Sequence, residues 1–485
     1  MSVSHAQFDR AFHPRVVAVV GDKQMNGFLW LRALQQFSGK LYSVQIDPHE
    51  IPAIEAMGVT NVRALLDIPE AVDYVVVAVP RNVVPRVLAD CVRKQVGAVT
   101  LFTAGFSETG DPEGVRLEEE IATLARDANL LLIGPNCMGI ANLRIGLCNF
   151  PNQPVGDAAA GRVGFIGQSG THTITFCMRG PAEGVGISKA VSCGNAVVVD
   201  ASDYLEYLRD DAGTAVIAAY IEGVRNGRRF FDVLRQTTAI KPVILWKGGI
   251  SDAGQRAIFS HTAALATPTA VWRGMVRQAG AIAVESQDEL LDVARTLLAG
   301  QIATGSRAGL IAMTGGPSVV MTDAFTQAGL DVPLLTDASY AKLREFFQVV
   351  GGSLRNPLDA GGTIAMGVRS DNLERLLHIL LADASIDVIA LDLGVALAID
   401  RYLEHPTLAV AVADVLAGFA QHTSKPFAVI VDAPHRPVEA AGLRDDLQRR
   451  GVLTFVSPQR AARALRQSIE YWRTRRAASD EEPSS

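Results

Sequence analysis

Three stretches of the sequence hold residue types that could handle a phosphate or carboxylate. Two read as a strand, a glycine-rich turn and a helix start: Phe165-Ile166-Gly167-Gln168-Ser169-Gly170-Thr171 and Ala312-Met313-Thr314-Gly315-Gly316-Pro317-Ser318. Glycine lets the backbone approach an anion, and the first N–H groups of the following helix then point at it, with the dipole adding favourable charge. The hydroxyls of Ser169, Thr171 and Ser318 are further possible donors, and Pro317 suits a first helical turn, where no N–H is needed. Taken singly, each stretch also reads as an ordinary tight turn. Two of them on separate sheets point to a shared anion. Neither has the spacing of a nucleotide-binding P-loop.

The third stretch follows Lys247-Gly248-Gly249 and ends Phe259-Ser260-His261-Thr262-Ala263-Ala264. It is rich in Gly, Ala and Ser, has little to bury, and reads as a mobile surface loop. Imidazole is a good nucleophile near neutral pH and a good leaving group once phosphorylated, so His261 is a candidate phosphoryl carrier. A loop histidine also occurs as ordinary surface polarity. Glu222 sharpens the case: it ends Ala218-Ala219-Tyr220-Ile221 and precedes Gly223. A carboxylate at a strand's carboxyl end is well placed to hold one ring nitrogen and leave the other to attack phosphorus. The bland alternative for Glu222 is a solvated turn residue.

Positioning these residues takes several sheets. Short β-branched runs alternate with helical stretches, the pattern of parallel strands with crossover helices. The reading is α/β, with three consecutive Rossmann-like or flavodoxin-like parallel-sheet domains at 1–150, 158–302 and 306–476, then a disordered tail at 477–485. Strands are expected at Val16–Val20, Leu41–Ile46, Tyr74–Val79, Ala98–Phe102 and Leu130–Ile133 in the first. Val163–Ile166, Val216–Ile221 and Pro242–Trp246 follow in the second, and Gly309–Met313, Val388–Leu393, Phe427–Val431 and Leu453–Val456 in the third. The last helix, Pro458–Arg476, turns basic near its end, as the helix dipole favours.

A chain of 485 residues is too long for one core, and 48% hydrophobic with 20% charged residues is a globular composition. A net charge of −6 without a basic run argues against nucleic acid or an anionic membrane as partner. Apolar runs such as Tyr74–Val79 are far short of a membrane span. Asp9 and Arg10 precede any apolar run, so no signal peptide is expected. Cys91, Cys137, Cys148, Cys177 and Cys193 form neither a CxxC pair nor a metal-spaced cluster, so no metal is expected and a reduced, cytoplasmic location is.

An ordered series of motifs then narrows the reading. Gly134-Pro135-Asn136-Cys137-Met138-Gly139, Gly167-Gln168-Ser169-Gly170-Thr171, Ser192-Cys193-Gly194-Asn195 with Asp200 and Asp203–Tyr207, Tyr220-Ile221-Glu222-Gly223, Lys241-Pro242-Val243 and Ser260-His261-Thr262 occur in that order. The series resembles the NDP-forming (ADP-forming) acyl-CoA synthetases, relatives of succinyl-CoA synthetase, over nearly the whole chain. The resemblance implies a CoA-binding first domain, with contacts from Gly21-Asp22-Lys23-Gln24, Pro80 and Thr103-Ala104-Gly105. It implies phosphorylation of His261, an orienting role for Glu222, and two phosphate-facing helices, one after Gln168 and one after Thr314. Asn356-Pro357-Leu358-Asp359 looks like part of the family's second ligase domain. The family's ATP-grasp module has no counterpart here, so the resemblance implies a separate ATP-grasp β-type subunit, an α2β2 assembly, and ATP or GTP with Mg2+ on that partner. The acid substrate stays open. Two rival readings are a nicotinamide-dependent oxidoreductase, with Asp47 in the ribose-binding position but no GxGxxG, and an acyl-CoA-sensing module without catalysis, against which the intact Ser260-His261-Thr262 speaks.

Overall fold

The computed structural model describes residues 3–256, 268–303, 305–365, 371–393 and 406–480. His261 lies outside them. The described strands form three sheets.

The first sheet contains β1 (Val16–Val20), β2 (Lys40–Val44), β3 (Thr60–Val62), β4 (Tyr74–Val77), β5 (Ala98–Leu101) and β6 (Leu131–Ile133). Its order is β3-β2-β1-β4-β5-β6, with every pairing parallel. β1, β4 and β5 are buried at every position, as strands covered on both faces must be. The order reverses between β1 and β4, so the loops after these strands open a crevice at the carboxyl edge.

The second sheet holds β7 (Gly139–Ala141), β8 (Ala160–Gly167), β9 (Ile187–Ser192), β10 (Val216–Ile221), β11 (Val243–Lys247) and β12 (Ile282–Val284), in the order β12-β11-β10-β8-β9-β7. Only β7 runs antiparallel, against β9. The parallel core has the flavodoxin-like order, with its reversal between β8 and β10. The third sheet repeats that order: β14-β13-β15-β16-β17, from β13 (Ala308–Ala312), β14 (Leu358–Asp359), β15 (Val388–Asp392), β16 (Phe427–Ile430) and β17 (Leu453–Phe455).

The chain divides into two compact units, Met1–Leu290 and Leu291–Ser485. The first two sheets share the first unit and one continuous core. The helix His5–Phe12 joins them: Phe8 and Phe12 stack on Tyr207 of the helix Ala201–Asp210, with ring centroids 5.1 and 5.3 Å apart. β7 belongs to the second sheet, so the chain leaves the first sheet before the boundary expected at 150. The final helix continues to Asp480, past Ala477, where a disordered tail was expected to begin. No helix among the described residues is long and apolar enough to cross a membrane.

Candidate functional site

In the first sheet the loops after β1, β4 and β5 lie side by side and carry Gly21–Gln24, Pro80 and Thr103–Gly105. Gly21 has φ +84°, and a Cβ there would sit 2.4 Å from Val79 Cγ1, so only glycine allows the two loops to meet. Thr103 Oγ1 donates to Val79 O at 2.6 Å, tying the loops after β4 and β5. Ala104 and Pro80 are exposed.

Asp22 turns inward. It is buried, and its carboxylate accepts the amides of Lys23 (3.1 Å), Trp30 (2.9 Å) and Leu31 (3.0 Å), holding the start of the helix Leu29–Ala33. Burial pushes its carboxyl pKa up, against the pull of these amides. Its part in any ligand site is therefore to shape the loop. The Gln24 amide is held by Glu50 Oε2 at 2.8 Å.

Sequence reasoning missed three residues here. Met25 and Ile46 are 84% and 73% exposed at the ends of β1 and β2, apolar surface suited to a flat base. Arg81, next to Pro80, donates to Gly105 O (2.6 Å) and Asp111 (2.7 Å), placing a guanidinium among the three loops. The sequence signal for Arg81 was its place directly after a strand-end proline.

In the second sheet β8 runs into Gln168-Ser169 and the helix Gly170–Ala182. Ser169 is the N-cap, its Oγ accepting the His172 amide at 3.4 Å. The amides of Gly170 and Thr171 belong to the first turn, which a helix cannot satisfy itself. The side chain of Gln168 points sideways: its Oε1 accepts from the amides of Glu222 and Gly223 (2.9 Å for Gly223), and its Nε2 donates to Gly223 O at 2.7 Å. The residue thus locks the turn after β10 to the turn after β8, bringing Glu222 beside the helix start.

Glu222 is 8% exposed, and its Oε2 is buried with no hydrogen-bond partner. A buried carboxylate oxygen left unpaired is costly unless something meets it in the working state. Tyr220 is 7% exposed, and burial first, then the Glu222 charge, push its phenol pKa up. Lys247 ends β11 buried; its Nζ donates to Glu222 O at 2.8 Å and to Gly248 O. Burial lowers its pKa, with the Glu222 charge pulling the other way. Thr269 Oγ1 donates to Ile250 O at 2.7 Å, tying together the two sides of the segment that carries His261. Tyr220, Lys247 and Gly248 were not singled out from sequence, since they read as strand interior and turn.

The second unit carries its own glycine-rich helix start. Thr314 precedes the helix Gly315–Gln327 without capping it through its side chain, leaving the first-turn amides to other partners. Pro317 stands in that turn. The hydroxyl of Ser318 donates to Gly315 O at 2.7 Å, so its proton is already used. A Cβ at Gly315 would lie 3.3 Å from Asp359 Oδ2, while one at Gly316 would meet open space. Burial holds the Asp359 carboxyl above its usual range. Asn356 acts structurally, with Oδ1 accepting from Leu310 N and Nδ2 donating to Ala308 O and Pro333 O. Among the described residues, no group of three or more His, Cys, Asp or Glu could hold a metal ion.

Comparison with known proteins accords with this layout. A CoA binding domain family matches residues 15–142, and a succinyl-CoA ligase like flavodoxin domain matches residues 160–297. The alpha subunit of ADP-forming acetate–CoA ligase II from Pyrococcus furiosus is 32% identical over 385 residues, covering 79% of this chain and 81% of that subunit. ADP-forming acetate–CoA ligase I of Archaeoglobus fulgidus is 35% identical over 390 residues, but the match spans 54% of that longer protein. The chain thus corresponds to about half of some curated relatives and most of others. The structure of Ca. Korarchaeum cryptofilum dinucleotide forming acetyl-coenzyme A synthetase 1, in complex with phosphate and ADP, superposes with a TM-score of 0.83 at 27% identity and covers 99% of both chains. The two matched domains, in the same order, and a relative of matching extent lead to one conclusion: the chain belongs to the family of ADP-forming acyl-CoA synthetases, as an α-type chain of the succinyl-CoA synthetase-like superfamily.

Proposed function

We propose that this chain is the α-type half of an NDP-forming acyl-CoA synthetase, that His261 is its transient phosphoryl carrier, and that Glu222 orients the imidazole. The observation that carries the reading is the buried, unpartnered Glu222 Oε2, on a turn that Gln168 ties to the turn leading into the helix Gly170–Ala182. An imidazole N–H donating to that oxygen leaves the second ring nitrogen free for phosphorus. Amides of Gly170 and Thr171 then face the phosphoryl oxygens.

The reaction runs in three transfers. His261 takes the γ-phosphoryl of ATP or GTP, releasing the diphosphate, at a site with Mg2+ on a separate ATP-grasp β-type subunit, in an α2β2 assembly in the cytoplasm. The carboxylate of the acid attacks phosphohistidine, giving acyl phosphate and free imidazole. The CoA thiolate attacks the acyl carbon and phosphate leaves. CoA is held by the loops Gly21–Gln24, Pro80 and Thr103–Gly105, with Arg81 and Lys23 near its phosphates. The Gly315–Ser318 helix start is a second phosphate-binding element. The substrate is a carboxylic acid whose identity the relatives leave open, since their names run from acetate to 4-hydroxybutyrate and trans-feruloyl.

Co-expression with a candidate ATP-grasp chain and incubation with γ-32P-ATP tests this. The expected result is acid-labile, base-stable label on this chain, absent in His261→Ala and slowed about 10- to 100-fold in Glu222→Gln, the scale on which loss of a ligand-orienting partner acts. Persistence of the label in His261→Ala removes the assignment. CoA binding without label in the wild type favours the sensing module.

A further inference from the structure

We propose that Asn195, which follows β9 of the second sheet, is a positioning residue for the CoA loop of the first: its side-chain amide bridges Glu108 and Glu118, and Glu108 holds the backbone of Gly105 and Phe106. The inference rests on the reading of Thr103–Gly105 as part of the CoA site.

The loop after β5 is held from two sides. On one, Arg81 donates to the carbonyl of Gly105 at 2.6 Å. On the other, Glu108 accepts the Gly105 amide with Oε1 at 2.6 Å and the Phe106 amide with Oε2 at 3.1 Å. Glu108 sits on a single short turn, Ser107–Thr109, which by itself leaves a glutamate several rotamers. What fixes its carboxylate comes from far along the chain. Asn195 Nδ2 donates to Glu108 Oε2 at 2.7 Å and to Glu118 Oε2 at 2.9 Å. Glu118 belongs to the helix Pro112–Asp127, and its Oε2 also accepts the Ser107 amide at 3.4 Å.

An asparagine suits this place because its NH2 carries two hydrogens, one for each carboxylate, and adds no charge. The carboxylates can only accept, so they decide which end of the amide faces them. All three side chains are half-buried. Without the bridge two like charges would share one partly desolvated space, and Glu108 would turn away and release the amides of Gly105 and Phe106.

Asn195 is itself anchored through its backbone. Its N–H donates to Pro135 O at 3.0 Å, and Arg225 donates to its carbonyl at 3.3 Å. Gly194 has φ +56°, and a Cβ there would lie 2.2 Å from Pro135 O, so the turn after β9 presses on the turn after β6. Cys193 N donates to Gly167 O at 2.8 Å, at the end of β8. The two sheets already share an apolar core. A polar bridge at their carboxyl edges adds little to that union; what it sets is the path of one loop.

The test is the dissociation constant for CoA of the full chain, by titration calorimetry, beside urea denaturation of the same variants. Asn195→Ala should weaken CoA binding about tenfold, the scale of one hydrogen bond to a charged group. Glu108→Gln should weaken it to a similar degree, and adding Asn195→Ala to that variant should cost almost nothing more, because Asn195 acts through Glu108. Adding Glu118→Gln to Asn195→Ala removes the opposing charge and should recover part of the affinity. A role in joining the sheets alone predicts a lower urea midpoint with CoA affinity intact. Unchanged affinity in Asn195→Ala, equal losses in the wild-type and Glu108→Gln backgrounds, or no recovery with Glu118→Gln overturns the proposal while leaving the CoA loops where they are. If Asn195→Ala does not fold, unchanged affinity in the isosteric Glu108→Gln does the same. A wild-type chain that binds no CoA removes the reading of the loops, and the proposal with it.

Discussion

At the scale of single residues, the working part of the second sheet is a set of side chains packed around one glycine. Gly248 lies against the Tyr220 hydroxyl and the Glu222 stem, and the Tyr220 ring is braced by His172 and Trp246. A methyl group at 248 must displace a hydroxyl that has little freedom to retreat, so Gly248→Ala should cost about 1–3 kcal/mol in urea denaturation, the usual range for overpacking. Adding Tyr220→Phe removes the atom in the way, so the double variant should regain a measurable part of that stability. Simple additivity would show that the clash lies elsewhere. His261 and Glu222 stood out in the sequence because their residue types announce chemistry, and the glycine-rich turns because few other sequences make them. Tyr220 and Lys247 did not, since one read as strand core and the other as part of a turn, and what they do depends on pairings between β10 and β11 that no single segment contains. Asp22 was legible as a loop residue but not as an inward cap, because the amides it accepts lie eight and nine residues further on.

At the scale of elements, strands announced themselves where they were long and apolar. The runs at β1, β4, β5, β10 and β15 read correctly because both faces are buried. β9 did not, because Lys189 interrupts Ile187–Ser192; the lysine is buried and satisfied by Asp211 at 2.8 Å. β3, β7, β12 and β14 are two or three residues long and lie on sheet edges, too short for any periodicity. The joints between elements rest on polar residues in the same way. Asp383, buried at the end of the helix Asn372–Ala382, accepts from the Thr336 amide and hydroxyl (both 2.9 Å) and from the Ser385 amide (2.8 Å) and hydroxyl (2.6 Å). Burial alone would raise its pKa; hydrogen bonds from Ser339, Ser385 and the backbone outweigh that and hold it well below the carboxylate range. A depressed folded pKa gives stability that is present above the unfolded value and lost as pH falls through the folded one. Asp383→Asn turns one acceptor into a donor facing donors. Urea denaturation of the second unit should show a loss of about 2 kcal/mol at neutral pH. The gap to wild type should narrow below about pH 4, as the wild-type carboxylate itself is protonated. A gap that widens in acid would mean that the carboxylate is not what joins these segments.

At the scale of the whole chain, the described strands form three largely parallel sheets, and the first two share a unit, Met1–Leu290. The alternation of strands and helices showed that three sheets were present. It could not show that β7 crosses over or that Phe8, Phe12 and Tyr207 fuse the first two sheets into one core, because those contacts join segments almost 200 residues apart. If the CoA crevice on the first sheet and the phosphoryl carrier on the second are separate devices within one unit, binding and transfer should separate by mutation. A ligand that binds only the folded state at about 100 times its Kd adds about 2.7 kcal/mol, enough to raise the melting temperature by several degrees. CoA should give that rise in the wild type and equally in His261→Ala, which loses all label. Gly21→Ala forces a Cβ into Val79 at a backbone angle alanine disfavours, so the loop must move. Its melting temperature should no longer respond to CoA, while label from γ-32P-ATP still forms on His261, since that transfer precedes any need for the thiol. A CoA response that survives in Gly21→Ala would place the nucleotide away from the β1–β4 crevice, and one lost in His261→Ala would show that the two devices do not act separately.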